Sequence, residues 1–190
     1  MSWVSSLTGR PLHPFDFVGH PEAERVIVTM GSSCQVVEEA VNYMVAQGEK
    51  VGLVKVRLYR PWSARKFLDV LPRSVQRIAV LDRVKEAGSE GEPLYLDVAS
   101  TIQRQRQRGL SSDEGARDQG AATVVGGRYG VGGKDFTPTM VKAVYDNLAQ
   151  ALPKDGFTGE KGLFCGVFLG RRSLYTLTSV STGINLILCM

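Results

Sequence analysis

Histidine and cysteine are scarce in this chain, and that scarcity removes much of the chemistry that 190 residues can carry. The two histidines, His13 and His20, both fall in an irregular opening stretch, and neither stands in a triad-like order with a nucleophile and a carboxylate. They read as surface residues of a loop. The three cysteines, Cys34, Cys165 and Cys189, lie far apart, so no pair has metal-ligand or redox-motif spacing. Their odd number speaks against a secreted disulfide framework and favours a reducing compartment. No run is long and apolar enough to span a bilayer. Residues 174–190 come nearest, but they are too short and are broken by Ser, Thr and Asn185. The first ten residues lack both the apolar core of a secretory leader and the Arg-rich amphipathic pattern of a transit peptide. Together these absences predict a cytoplasmic protein with no membrane partner.

What is present suits one ordinary domain, or one domain with a tail. Hydrophobic residues at 43% and charged residues at 22% permit a full core. The net charge of +4 is mild, and its densest patch is Gln103-Arg104-Gln105-Arg106-Gln107-Arg108. On a helix Arg104 and Arg108 share a face while Arg106 points elsewhere, which reads as a solvated helix end. No nucleic-acid partner is expected, because such proteins concentrate their cations on one face.

Along the chain, residues 1–24 hold Gly9, Pro11, Pro14, Gly19 and Pro21, which predicts an extended arm lying on a surface. From Arg25 the pattern changes. Val26-Ile27-Val28-Thr29-Met30 predicts a buried strand. A helix follows, capped by Ser32 with Gln35 completing a capping box and stopped by Gly48. Val37, Val41, Met44 and Val45 form its core stripe, with Glu38, Glu39 and Asn42 toward water. Residues 51–58 give a second strand, 63–71 a short helix stopped by Pro72, and 78–81 a third strand. Pro93 starts a helix whose Leu94, Val98 and Ile102 lie four apart. Residues 109–120 predict an exposed loop, and 121–125 a fourth strand ending at Gly126-Gly127. Thr137-Pro138 opens the last helix, which buries Val141, Val144, Tyr145 and Leu148. The alternation predicts an α/β domain with an open, mostly parallel sheet and helices on both faces. The boundaries expected are an arm over 1–24, the α/β domain over 25–152 and a divergent or disordered tail over 153–190.

Ligands of open parallel sheets bind beyond the carboxyl ends of the strands, and four such loops stand out. Gly31-Ser32-Ser33 opens a helix, but without a full Gly-x-Gly-x-x-Gly a tight turn and cap explain it better than an anion site does. Tyr59-Arg60-Pro61-Trp62 is either a rigid docking surface or a local core closed by Trp62 over Phe67. Around Arg83 the charges suit surface ion pairs more readily than a ligand. Residues 126–135 are dense in glycine and carry Arg128 and Lys134, yet they do not match a phosphate loop. Aligned on Gly133-Lys134, Asp135 takes the hydroxyl position and Arg128 that of the first glycine. No catalytic, cofactor-binding or metal-binding residue emerges. The candidate inter-domain or anion contacts are Arg60, Trp62, Arg83, Arg128 and Lys134.

Several ordered blocks add a resemblance. Gly9-Arg10-Pro11-Leu12-His13-Pro14-Phe15-Asp16-Phe17, Val28-Thr29-Met30-Gly31-Ser32 and Val56-Arg57-Leu58-Tyr59-Arg60-Pro61 come first. Gly91-Glu92-Pro93-Leu94-Tyr95, Val125-Gly126-Gly127-Arg128-Tyr129-Gly130 and Lys134-Asp135-Phe136-Thr137-Pro138 follow. In this order, over residues 9–158, they resemble the second domain of pyruvate:ferredoxin (flavodoxin) oxidoreductases, which is similar to the C-terminal domain of transketolases. Val84 and Ala87 replace the usual Thr and Pro after the third strand, and residues 159–190 look foreign to the family.

The resemblance implies a family that converts pyruvate and coenzyme A to acetyl-CoA and CO2. Its electrons pass to ferredoxin or flavodoxin, and it uses thiamine diphosphate and [4Fe–4S] clusters. Neither the Gly-Asp-Gly thiamine motif nor a Cys-x-x-Cys-x-x-Cys run occurs here. The resemblance therefore implies a truncated supporting domain that is inactive alone, binds none of these cofactors and braces the other domains and the dimer. The alternative is a stand-alone nucleotide- or phosphate-binding module using the loop from Gly126 to Lys134.

Overall fold

The computed structural model describes residues 2–111 and 122–157. Five strands form one sheet in the order β1-β3-β2-β4-β5. They are β1 (Phe15–Gly19), β2 (Arg25–Met30), β3 (Val51–Val56), β4 (Arg77–Asp82) and β5 (Thr123–Arg128). β2, β3, β4 and β5 run parallel, and β1 joins β3 antiparallel, with Phe17 opposite Val54. The helices are α1 (Ser2–Thr8), α2 (Ser33–Ala46), α3 (Ala64–Val70), α4 (Pro93–Ser111) and α5 (Pro138–Ala149).

Side chains alternate across the strands, and each set meets its own helix pair. On one face Ile27, Leu53, Ala79, Leu81 and Val125 pack against Val37, Val41 and Met44 of α2 and Val141, Val144, Tyr145 and Leu148 of α5. On the other, Val26, Val28, Val54, Ile78 and Val80 meet Phe67 of α3 and Leu94, Val98 and Ile102 of α4. The helical stripes expected from sequence are thus the core. The fold is an open, mostly parallel α/β sheet covered on both faces.

Three local devices fix the helices. Gly48 takes φ +87° at the end of α2. There the Gly48 N–H donates to Val45 O at 2.9 Å and the Glu49 N–H to Met44 O at 3.0 Å, a Schellman ending. Tyr145 Oη donates to the Gly52 carbonyl at 2.8 Å, tying α5 to β3. Arg25 and Arg77 donate to the carbonyls of Tyr145 and Leu148, covering acceptors in the last turn of α5.

Several expectations need correction. Residues 1–24 are not a plain extended arm: α1 and β1 lie within them, because Pro11 and Pro14 precede the strand, Pro21 follows it and none interrupts it. Ser32 has helical φ/ψ and makes no side-chain cap, so no capping box forms. Glu38, expected toward water, is half-buried and pairs with Lys55 at 2.7 Å. α4 continues through 109–111, where a loop was expected to begin; residues 112–120 of that loop lie outside the described residues. β5 runs on through Gly126 and Gly127 to Arg128. Of the expected tail, residues 153–157 are built into the domain. Asn147 holds Lys154 through two hydrogen bonds, and Phe157 is buried. Residues 158–190 lie outside the described residues. Among the described residues no helix is long and apolar enough to cross a membrane.

Candidate functional site

From β2 the chain crosses over one face to β3, then back over the opposite face to β4. The loops after β2 and β4 therefore part company at a topological switch point, the usual place for a ligand crevice. Here three of the protein's own hydroxyls bond to one another. Thr29 at the end of β2 and Ser33 at the start of α2 share a hydrogen bond of 2.8 Å. Tyr129, just past β5, donates its hydroxyl to Ser33 Oγ at 2.9 Å. Ser33 also reaches Met30 O at 3.0 Å, and Thr29 reaches Leu81 O at 3.3 Å. All three side chains are buried, and their hydroxyls are satisfied within the chain.

Beside this trio, Asp82 ends β4 and caps α4. Its two carboxylate oxygens accept the N–H groups of Leu94 at 3.2 Å and Tyr95 at 3.1 Å. Burial raises the Asp82 carboxyl above its ordinary value, while the two amide bonds pull it down. Asp82→Ala leaves those N–H groups without their acceptor and should cost about 1–2 kcal/mol, as loss of a helix cap does. A urea melt of the variant with an unchanged midpoint would contradict that role.

The loop after β3 is equally self-contained. The Arg60–Pro61 peptide bond is cis. Arg60 donates to Asp97 at 2.7 Å and lies 3.9 Å over the Tyr59 ring. Tyr59 donates to the same carboxylate at 2.7 Å, and burial with that bond raises its hydroxyl pKa. Trp62 donates to Thr101 Oγ1 at 2.9 Å and packs edge-on against Phe15, with ring centres 5.1 Å apart. It also covers Phe67 at 5.3 Å, so the local-core reading describes what Trp62 does within this chain.

The glycine-rich stretch is used internally as well. A side chain on Gly126 would meet the Tyr95 ring at 3.0 Å, and one on Gly127 would collide with the Phe157 ring. These two glycines make room for rings, not for a phosphate. Arg128 is paired with Glu92. Gly130, with φ +61°, faces Arg83, where a Cβ would lie 2.9 Å from Nε. Arg83 and Lys134 are exposed on this edge.

The structure thus brings Arg83 and the Gly130 turn together and sets Arg60 and Trp62 in a separate cluster with Asp97 and Thr101. Sequence reasoning missed Asp82 as a cap, the Thr29–Ser33–Tyr129 trio and Asp155. Asp155 Oδ1 accepts the Gly126 N–H at 2.7 Å. Each acts across a long stretch of sequence and leaves no local motif. Among the described residues no group of His, Cys, Asp and Glu is arranged to hold a metal.

The family described as "Pyruvate:ferredoxin oxidoreductase core domain II" matches residues 23–141. A pyruvate:ferredoxin oxidoreductase of Moorella thermoacetica is 59% identical over 158 residues, covering 83% of this chain and 12% of its own length. A pyruvate-flavodoxin oxidoreductase of Enterobacter agglomerans is 43% identical over 185 residues, covering 96% of this chain and 15% of its own. That match leaves only 4% of this chain outside, so it passes beyond Thr158 into the segment set apart from sequence. A solved 2-oxoglutarate:ferredoxin oxidoreductase from Magnetococcus marinus superposes with a TM-score of 0.46 at 23% identity, covering 75% of this chain and 21% of that one. The chain therefore spans a small fraction of the relatives it matches. It belongs to the pyruvate:ferredoxin oxidoreductase core domain II family.

Proposed function

We propose that this chain is a supporting domain of a pyruvate:ferredoxin or pyruvate:flavodoxin oxidoreductase, one that braces the domains holding the cofactors and contributes to the dimer. The observation that carries the reading is the internal bonding of the polar side chains at the switch point. Asp82 is committed to α4, Glu92 to Arg128, and Ser33 to Thr29 and Tyr129. A cofactor's phosphates need free donors, and a cluster needs thiolates. The described residues of this edge offer no exposed thiolate, since Cys34 is buried on α2 and burial raises its thiol pKa, and the buried hydroxyls and carboxylates there are already bonded within the chain. Thiamine diphosphate, [4Fe–4S] clusters and coenzyme A, the family's expected groups, do not fit the residues here and belong to the rest of the enzyme. The same internal use of the glycines disfavours a stand-alone phosphate-binding module. Arg83 and Lys134, exposed on that edge, and Arg60, exposed beside Trp62, remain candidates for contact with neighbouring domains. The domain works wherever the whole enzyme does, in the cytoplasm on this reading.

The purified chain should not reduce methyl viologen when given pyruvate, coenzyme A, thiamine diphosphate and Mg2+. Its melting temperature should not move with thiamine diphosphate, because a ligand stabilises only what it binds. Turnover, or a saturable rise in melting temperature, would overturn the reading.

A further inference from the structure

We draw no further inference here: the strongest candidate, the glycine turn at Gly130–Gly133 with the exposed cations Arg83 and Lys134 on the same edge, rests on loop geometry alone, and nothing in the structure shows what it would hold.

Discussion

Tyr145→Ala should leave the chain largely unfolded at ambient temperature. The ring is fully buried between α5 and the sheet, among Ile27, Leu53 and Val141. Removing a buried aromatic ring costs about 3–5 kcal/mol in lost transfer energy and cavity. Its hydroxyl also supplies the Gly52 carbonyl, and stranding a buried acceptor adds about 1–3 kcal/mol. That sum approaches the total stability of a typical domain, about 5–15 kcal/mol. Tyr145→Phe separates the two terms. It keeps the ring and loses only the bond, so its urea midpoint should fall modestly while the alanine variant has no folded baseline. Equal losses in the two variants would show that the hydrogen bond, and not the packing, holds α5.

The second large effect is expected at Gly127, where the cost comes from a specific ring. A side chain there would occupy the space of Phe157, whose carbonyl accepts the Arg128 N–H at 3.0 Å and whose ring is buried. Gly127→Val must expel that ring or bend β5, and overpacking of this kind costs about 1–3 kcal/mol before the lost burial is counted. A double-mutant cycle makes the claim specific. In a Phe157→Ala background, Gly127→Ala should be nearly neutral in thermal denaturation, whereas in the wild-type background it should be clearly destabilising. If Gly127→Ala is as harmful without the ring as with it, the glycine serves backbone geometry and the steric explanation fails.

These two residues show which parts of the fold could be read from sequence. Tyr145 was legible because Val141, Val144, Tyr145 and Leu148 repeat at helical spacing behind Thr137 and Pro138, a purely local signal. The same holds for the four parallel strands and for α4. Gly127 was not legible, because the ring that needs its space comes from Phe157, after a whole helix. The pair of glycines looked like the end of a strand, yet Tyr95 and Phe157 fill the space above each and the strand continues. β1 was hidden for a different reason. Prolines and glycines around it signal a loop, but only Gly19, at φ +136° against Val51, lies within the strand. At the candidate site, Arg60, Trp62, Arg83, Arg128 and Lys134 could be picked out as loop cations and an aromatic. That Asp97 and Glu92 hold two of them depends on how α4 lies against the sheet. Asp82 acts as a cap across a connection of ten residues, well outside the window of a helix-start motif.

We propose that this chain works as part of a larger pyruvate-oxidising enzyme and catalyses nothing alone. Pyruvate-dependent acceptor reduction by the Moorella thermoacetica relative, assayed in three forms, tests it most directly: intact, lacking the matching stretch, and with residues 2–157 of this chain inserted there. The expected result is activity in the first and third and none in the second. Full activity without the stretch would show that the domain is dispensable. A folded, cofactor-loaded insertion that stays inactive would show that this chain no longer does the work of its family.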